Sequence, residues 1–296
     1  MSFFSALVRR RRALVGINRR NLSLVYPHNA RGDYPLADDK LLAKERFRAL
    51  GVPVPETLAV CAGLFQVPET VGSLEGLSNF VVKPANGSGG AGILVVGDQV
   101  GPLLWRRAGG DMLDGAALHK HLADIVFGAF SSQLEDRAFV ERRIRPHDFF
   151  ARLWPDGLCD VRVITLRGAP VMSMIRVPTR ESGGRANLHQ GGLGVALELE
   201  TGLCRGALHR GRRVDRHPES GASLVGPQVP RWPEVLEVAR AAAAAVPLGY
   251  LGVDVVVDEA LGPLVLEINA RPGLEIQNVH GEGLWPKVEP HLQEAG

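Results

Sequence analysis

Two apolar runs joined by a turn, within Leu251 to Gly273 (LGVDVVVDEALGPLVLEINARPG), constrain this chain more than any other stretch. Runs rich in Val, Leu and Ile, separated by Glu259-Ala260-Leu261-Gly262 with Pro263 following, predict a hairpin with a four-residue connection. If Asp258 pairs with Pro263, Asp254 pairs with Glu267. Alternation then places Val253, Val255, Val257, Leu264, Leu266 and Ile268 on one apolar face, and Asp254, Glu267 and Asn269 on the other. Directly opposed residues have Cβ atoms about 5 Å apart, so two carboxylates there repel unless a cation lies between them. Three oxygen ligands of this kind suit Mg²⁺, which keeps waters and takes one or two carboxylates plus substrate phosphates. The hairpin therefore predicts a nucleotide site. The alternative is an exposed hairpin whose outer face is merely acidic; the turn Arg271-Pro272-Gly273, which returns a cation to the same end, favours the metal reading.

With 296 residues, 45% of them hydrophobic, the chain can bury a sizeable core as one large domain or two lobes. A net charge of +2 gives no overall field for nucleic acid, although Arg9 to Arg12 and Arg19-Arg20 form local basic clusters, read as a solvated arm. Cys61, Cys159 and Cys204 form no CxxC pair, which argues against a disulfide framework and a zinc site. Apolar residues precede the arginines at the N-terminus, and no run reaches the roughly 20 apolar residues of a membrane helix. A reducing cytoplasm is expected.

Residues 1–35 read as a basic arm. Asp38 starts a helix that places Lys40 in its first turn, where the helix dipole disfavours a cation unless an anion faces it; Leu50-Gly51 and Pro53 stop it. A strand, Asn79 to Pro84, runs into Asn86-Gly87-Ser88-Gly89-Gly90-Ala91-Gly92 and then a second strand, Ile93 to Val96. The letters Gly87-x-Gly89-x-x-Gly92 match a dinucleotide fingerprint, but that motif opens a helix, and a strand follows here. No Gly-Lys-Ser/Thr ends the run, so a Walker loop fails too. A hairpin loop whose backbone N–H groups close over phosphates remains, with Lys83 at its entrance.

Farther along, a helix is expected over Ala116 to Phe130 with Leu118, Leu122, Ile125 and Val126 inward, and a strand begins at Phe139-Val140-Glu141. Asp160 to Leu166 and Val171 to Arg176 read as a strand pair turning at Gly168-Ala169-Pro170. Gly183 to Gly192 is suited to lining a site, with His189 read as a hydrogen-bonded loop residue and not as catalytic. Residues 205–231 read as a surface connection, and Pro233 to Val246 as a helix packed on the final hairpin.

In their order these motifs resemble the ATP-grasp superfamily, and within it the RimK-like, alpha-L-glutamate ligase-like group, over about residues 36–281. The residues that carry the resemblance are Asp39-Lys40, Lys83, Glu141, Asp160-Val161-Arg162, Asn187-Leu188-His189, Asp254 and Glu267 to Gly273. It implies an α+β, ATP-grasp fold: two α+β lobes with the nucleotide between antiparallel sheets, divided as an arm (1–35), an N-terminal lobe with a glycine-rich lid (36–140) and a C-terminal lobe with the metal site (141–296). The implied cofactors are ATP and Mg²⁺, with Mn²⁺ as a substitute. By this resemblance Lys40 and Lys83 hold phosphates; Gly87, Ser88, Gly89, Gly90 and Gly92 form the lid; the backbone around Glu141 meets the adenine; Asp148 or Asp160 binds the ribose; Arg176 and Arg271 bind the γ-phosphate or acyl phosphate; and Asp254, Glu267 and Asn269 bind metal. The implied reaction joins a small-molecule or peptide carboxylate to an amine through an acyl phosphate, releasing ADP and phosphate, as in the addition of glutamate to an acceptor. A kinase, or a nucleotide-binding module without turnover, is the competing class. No membrane and no nucleic-acid partner is expected, and a homo-oligomer is allowed. Two departures bear on the substrate: only about 35 residues precede the grasp, and Gln190 stands where glutamate ligases often carry a base.

Overall fold

The computed structural model describes residues 12–87, 89–107, 109–132 and 135–293, and the chain divides into two compact units. The smaller takes residues 39–41 and 55–144; the larger takes the chain through Asp38, Leu42–Val54 and everything from Arg145.

The smaller unit is an antiparallel sheet of β1 (Thr57–Cys61), β2 (Phe80–Pro84), β3 (Leu94–Gly101), β4 (Leu104–Arg107), β5 (Met112–Asp114) and β6 (Ala138–Arg142), in the order β1-β6-β2-β3-β4-β5. Its helix Gly115–Val126 begins because the Asp114 side chain accepts from the Ala117 N–H at 2.7 Å. Leu118, Leu122, Ile125 and Val126 recur at helical spacing and are buried as expected. The helix stops four residues before Phe130, where Gly128 takes a left-handed φ of 81°. Phe80 meets Trp105 edge-on at 5.8 Å inside this core, and the Trp105 indole N–H donates to the Leu77 carbonyl at 2.8 Å.

The larger unit carries β7 (Asp160–Leu166), β8 (Ala169–Val177), β9 (Leu193–Leu197), β10 (Cys204–His209), β11 (Arg212–Val214), β12 (Tyr250–Asp258) and β13 (Gly262–Asn269), in the order β11-β10-β9-β8-β7-β12-β13. Strands β10 and β11 occupy part of the stretch expected as a surface connection. The β7–β8 turn is Arg167-Gly168, with φ of 51° and 81°, and not Gly168-Ala169-Pro170. Two left-handed residues make the tight connection that matches the strand twist, and Pro170 is already paired with Thr165.

Each face of this sheet is covered. Val161, Val163, Val253, Val255, Val257 and Val265 pack with the helix Trp232–Ala244, whose buried Ala239, Ala242 and Ala243 allow close approach. On the opposite face Ile164, Leu166, Met172, Met174 and Tyr250 are covered by Val15, Leu24 and Val25 together with Ile276, Val279, Leu284 and Val288. The expected solvated arm is therefore core, from Val15 onward. Arg9, Arg10 and Arg11 lie outside the described residues.

Asn29 fixes this segment. It is 3% exposed; its amide donates to the Tyr250 and Ala270 carbonyls at 2.8 Å each, and its oxygen accepts from the Tyr250 N–H at 2.9 Å.

The final hairpin pairs Asp254 with Glu267, but not by the expected route. Asp258 pairs with Gly262, leaving a three-residue connection in which Asp258 accepts from the Ala260 and Leu261 N–H groups and Gly262 is left-handed at 80°. A bulge between Asp254 and Val255 then inserts Leu266 as an extra residue. Upstream of the bulge the register is the expected one. Beyond it the faces exchange, so Val265, not Leu264 or Leu266, shares the apolar core with Ile268.

Asn29→Ala should lower unfolding free energy by about 3 kcal/mol, since it strands one buried N–H and two carbonyls. Urea denaturation followed by tryptophan fluorescence measures this; a loss below about 1 kcal/mol would show that the segment is not fixed by this residue.

Candidate functional site

Four neighbouring strands, in the order β8-β7-β12-β13, place charged residues on one face of the larger unit. Register sets Arg176 opposite Asp160, Arg162 opposite Asp254, and Asp254 opposite Glu267. Arg162 binds both oxygens of Asp254, one contact through Nε to Oδ1 and the other from Nη2 to Oδ2 at 2.7 Å. Arg176 binds Asp160 through Nε at 2.6 Å and Nη2 at 2.8 Å, and its Nη2 also donates to Asp254 at 2.6 Å. Asn269 Nδ2 reaches the same Asp254 oxygen at 3.4 Å.

Asp254 is completely buried, which its two guanidinium partners make tolerable. Burial opposes its charge, yet Arg162 and then Arg176 outweigh burial and hold its carboxyl below the ordinary range. Asp160 is less well compensated. Burial is the largest influence on it, its one close guanidinium is shared with Asp254, and the Asp254 charge adds repulsion, so its carboxyl is pushed up to about 7. Arg176 is itself held charged: burial is outweighed by Asp160, Asp254 and Glu267. Three carboxylates thus surround two guanidiniums.

The donor chemistry separates the expected metal ligands. Glu267 and Asn269 are partly exposed, two residues apart on one strand, and both offer hard oxygen, which fits Mg²⁺. Asp254 does not fit as an open ligand, because guanidinium N–H groups occupy both of its oxygens. The cation expected beside Asp254 is an arginine pair. Among the described residues no group of three or more His, Cys, Asp and Glu is arranged to hold a metal ion.

Asp160 is likewise removed from the ribose reading, since both its oxygens accept from Arg176 and it is buried. Asp148 remains open: its side chain is 78% exposed at the start of the helix Asp148–Leu153, with Arg152 at 3.9 Å. Arg271 stands apart from Arg176, donating to Asp38 at 3.4 Å with its guanidinium 4.8 Å from the Tyr34 ring centre. The sequence offers Arg162 only as part of the Asp160-Val161-Arg162 motif. Its signal was the two-residue step from Asp160, which puts both on one strand face.

In the smaller unit, Lys83 on β2 forms an ion pair with Glu141 on β6, and both side chains are largely buried. Its charge is therefore not reserved for phosphates alone. Asp39, rather than Asp38, caps the helix Lys40–Ala49, accepting from the Leu41 N–H at 2.9 Å. Lys40 Nζ donates to the Gly87 carbonyl at 2.5 Å, so a lysine holds the base of the glycine loop. Gly89, Gly90 and Gly92 have φ of 63°, 78° and 74°, which a side chain would strain. Asn86 is tied by N–H and amide to Asp136, and His121 meets the Gly92 carbonyl at 3.0 Å, so both ends of the loop are anchored. Burial is the main cause that holds His121 below its ordinary pKa. Ser88 lies outside the described residues. His189 is exposed in the short turn Leu188–Gln190.

The model of the family described as sugar-transfer associated ATP-grasp matches residues 19–292. Among curated proteins none matches. Similar solved structures include biotin carboxylase from Campylobacter jejuni (18% identity, TM-score 0.48, 82% of this chain and 42% of that one). D-alanine–D-alanine ligase from Bacillus anthracis is another (14%, 0.42, 86% and 62%), as is a RimK domain ATP-grasp protein from Sphaerobacter thermophilus (13%, 0.45, 84% and 67%). The chain spans 42% to 67% of the length of these structures.

Asp254→Asn should cost about 3–5 kcal/mol, because it leaves two buried guanidiniums short of a partner. Glu267→Gln should leave the melting temperature within a few degrees of wild type. Calorimetry on both variants checks this, and equal melting would remove the structural role from Asp254.

The raised Asp160 carboxyl sets a pH window. Its folded pKa of about 7 exceeds the unfolded value of about 3.9, so its contribution is full below the unfolded value and is lost as pH rises toward 7. Wild type should lose more stability between about pH 4 and 7 than Asp160→Asn does. Parallel slopes of melting temperature against pH would contradict it.

Proposed function

Because the chain belongs to the sugar-transfer associated ATP-grasp family, we propose that it is an ATP-dependent ligase joining a carboxylate to an amine. The observation that supports this most is the polar face of the larger unit, where Glu267 and Asn269 stand beside a buried cluster that fixes Arg176. The donor carboxylate attacks the γ-phosphate of ATP, giving an acyl phosphate and ADP. An amine then attacks the acyl carbon, phosphate leaves, and the amine's proton passes to solvent or a bound base. Positioning and charge neutralisation suffice for this sequence, so no side chain need become covalently attached.

Each residue has a role in that reading. Lys40, Lys83 and the backbone of Gly87 to Gly92 hold phosphates in the smaller unit. Glu267 and Asn269 would hold Mg²⁺, which when bound neutralises phosphate charge. Arg176 spends Nε and Nη2 on aspartates, which leaves Nη1 as the donor pair for a phosphoryl oxygen. Asp160 and Asp254 are positioning residues that hold this guanidinium in one orientation. Asp148 is the remaining acid for the ribose. Lys83 would exchange part of its contact with Glu141 for phosphate when nucleotide binds.

The test is a screen of amino acids, peptides and sugar acids for stimulated ADP release, with mass spectrometry of products. Release of ADP and phosphate should need both a carboxylate and an amine, and Glu267→Gln should lower kcat by at least about a hundredfold. ADP release that needs a hydroxyl substrate and no amine would indicate a kinase. AMP and pyrophosphate, or undiminished turnover in Glu267→Gln, would overturn the proposal.

A further inference from the structure

Beside the polar face, and built entirely within the larger unit, lies a cavity of about 460 Å³ lined by Arg20, Asn21, Tyr26, Arg31, Tyr34 and Arg271. Five of these six come from the segment the sequence presents as an arm. Its walls hold three guanidiniums and no carboxylate. Among the described residues no carboxylate pairs with Arg20 or Arg31, and Arg271 has only Asp38 at 3.4 Å, between half-exposed side chains, a contact of little energetic weight.

Arg20 is held in place by neutral acceptors: Nη1 donates to the Pro272 carbonyl at 3.1 Å, and Nε and Nη2 to Asn21 Oδ1 at 3.1 and 3.0 Å. Its position is thus fixed, while no carboxylate among the described residues compensates its charge. Among the described residues the buried Tyr34 hydroxyl has no hydrogen-bond partner, and neither has the fully buried Tyr250 hydroxyl, which lies within electrostatic reach of Arg20. The Tyr26 ring is half exposed, and Tyr34 faces the Arg271 guanidinium, so the cavity also has aromatic walls.

Planar guanidinium forks match the oxygens of carboxylates and phosphates, and a volume of this size suits a small organic molecule. We propose that this cavity binds the anionic group, carboxylate or phosphate, of a small substrate whose body lies against Tyr26 and Tyr34. The turn beneath it touches the buried cluster: a Cβ on Gly252 would lie 2.8 Å from Pro272 Cβ and 3.0 Å from Arg162 Cδ. Only glycine lets the turn and Arg162 approach this closely. A ligand on Arg20 and Arg271 is thereby held one packed layer from the Arg162–Asp254 pair. Assigning that ligand as the second substrate of the ligation rests on the ligase reading; the binding of an anion does not.

Titration calorimetry with inorganic phosphate and with glutarate as separate probes, on wild type, Arg31→Gln and the double variant Arg20→Gln/Arg31→Gln, tests the site. At least one probe should bind wild type about tenfold tighter than the double variant, with Arg31→Gln between them, and affinity should fall as salt rises. The probe that binds better identifies the anion. Retained thermal stabilisation of the variants by Mg²⁺-ATP would confirm that they are folded. Failure of both probes to bind wild type, or equal affinity in all three proteins, would overturn the proposal. Its failure is separable from that of the ligase reading: amine-dependent ADP release with the same KM for every acidic substrate in wild type and Arg31→Gln removes the cavity but keeps the ligase. Tight phosphate or glutarate binding without any ligation does the reverse.

Discussion

Arg176 shared between Asp160 and Asp254 is the contact on which the polar half of the larger unit depends. A carboxylate cannot remain charged at zero exposure without close partners, and Asp254 has the second guanidinium from Arg162 as well. Removing either arginine would leave an uncompensated charge inside the sheet. The same arrangement leaves Asp160 with a share of one cation, which is why two aspartates bound to the same arginine differ in acidity. A buried network of this kind costs desolvation free energy, so its presence on one sheet face is better explained by orientation than by stability.

The apolar half of that face explains how the network is kept dry. Along β7 the residues Asp160, Arg162, Ile164 and Leu166 share one side, so the polar end passes into an apolar end within a few residues. Leu24 and Val25 close over the apolar end, and Asn29 supplies hydrogen bonds to Tyr250 at the start of β12. The N-terminal segment is thereby both a cover for the core and a wall of the arginine-lined cavity. Length alone suggested a dispensable arm, whereas packing makes it part of the unit.

Much of this was legible in the sequence, and the misses have physical causes. Alternation along residues 251–269 placed Asp254 against Glu267 correctly. Yet the connection length and the bulge at Leu266 were both unread, and their errors cancelled at that pair while exchanging Leu264 and Leu266 for Val265 in the core. A bulge has no compositional mark when every candidate residue is apolar. The helices over 115–126 and 232–244 were visible from periodicity and alanine content. Strands β10 and β11 were not, because Gly, Arg and His dominate their stretch. The ion pair Lys83–Glu141 and the Arg162–Asp254 clamp depend on which strands are neighbours, which alternation within one strand cannot state. The superfamily read from motif order agrees with the family that matches the chain, whose description is sugar-transfer associated rather than glutamate-ligase-like.

Charge accounting within the cluster also bears on how the proposed reaction would use its cation. With every carboxylate ionised, Asp160, Asp254 and Glu267 against Arg162 and Arg176 leave one negative charge in excess, and the raised Asp160 carboxyl is the member that sheds it by taking up a proton as pH falls through about 7. Glu267, partly exposed, stands at the edge of the buried cluster, where it helps to hold Arg176 charged and the Asp254 carboxyl low. The proposed pair of one carboxylate and the Asn269 carboxamide would be too sparse to hold Mg²⁺ by itself, and would suit that ion's habit of taking few protein ligands and completing its shell with water and phosphate oxygens. In such a site, affinity for the metal depends on the nucleotide that arrives with it. In the proposed reaction the arginine pair that engages Asp254 would leave Glu267 and Asn269 as the oxygen donors offered to a metal–phosphate complex.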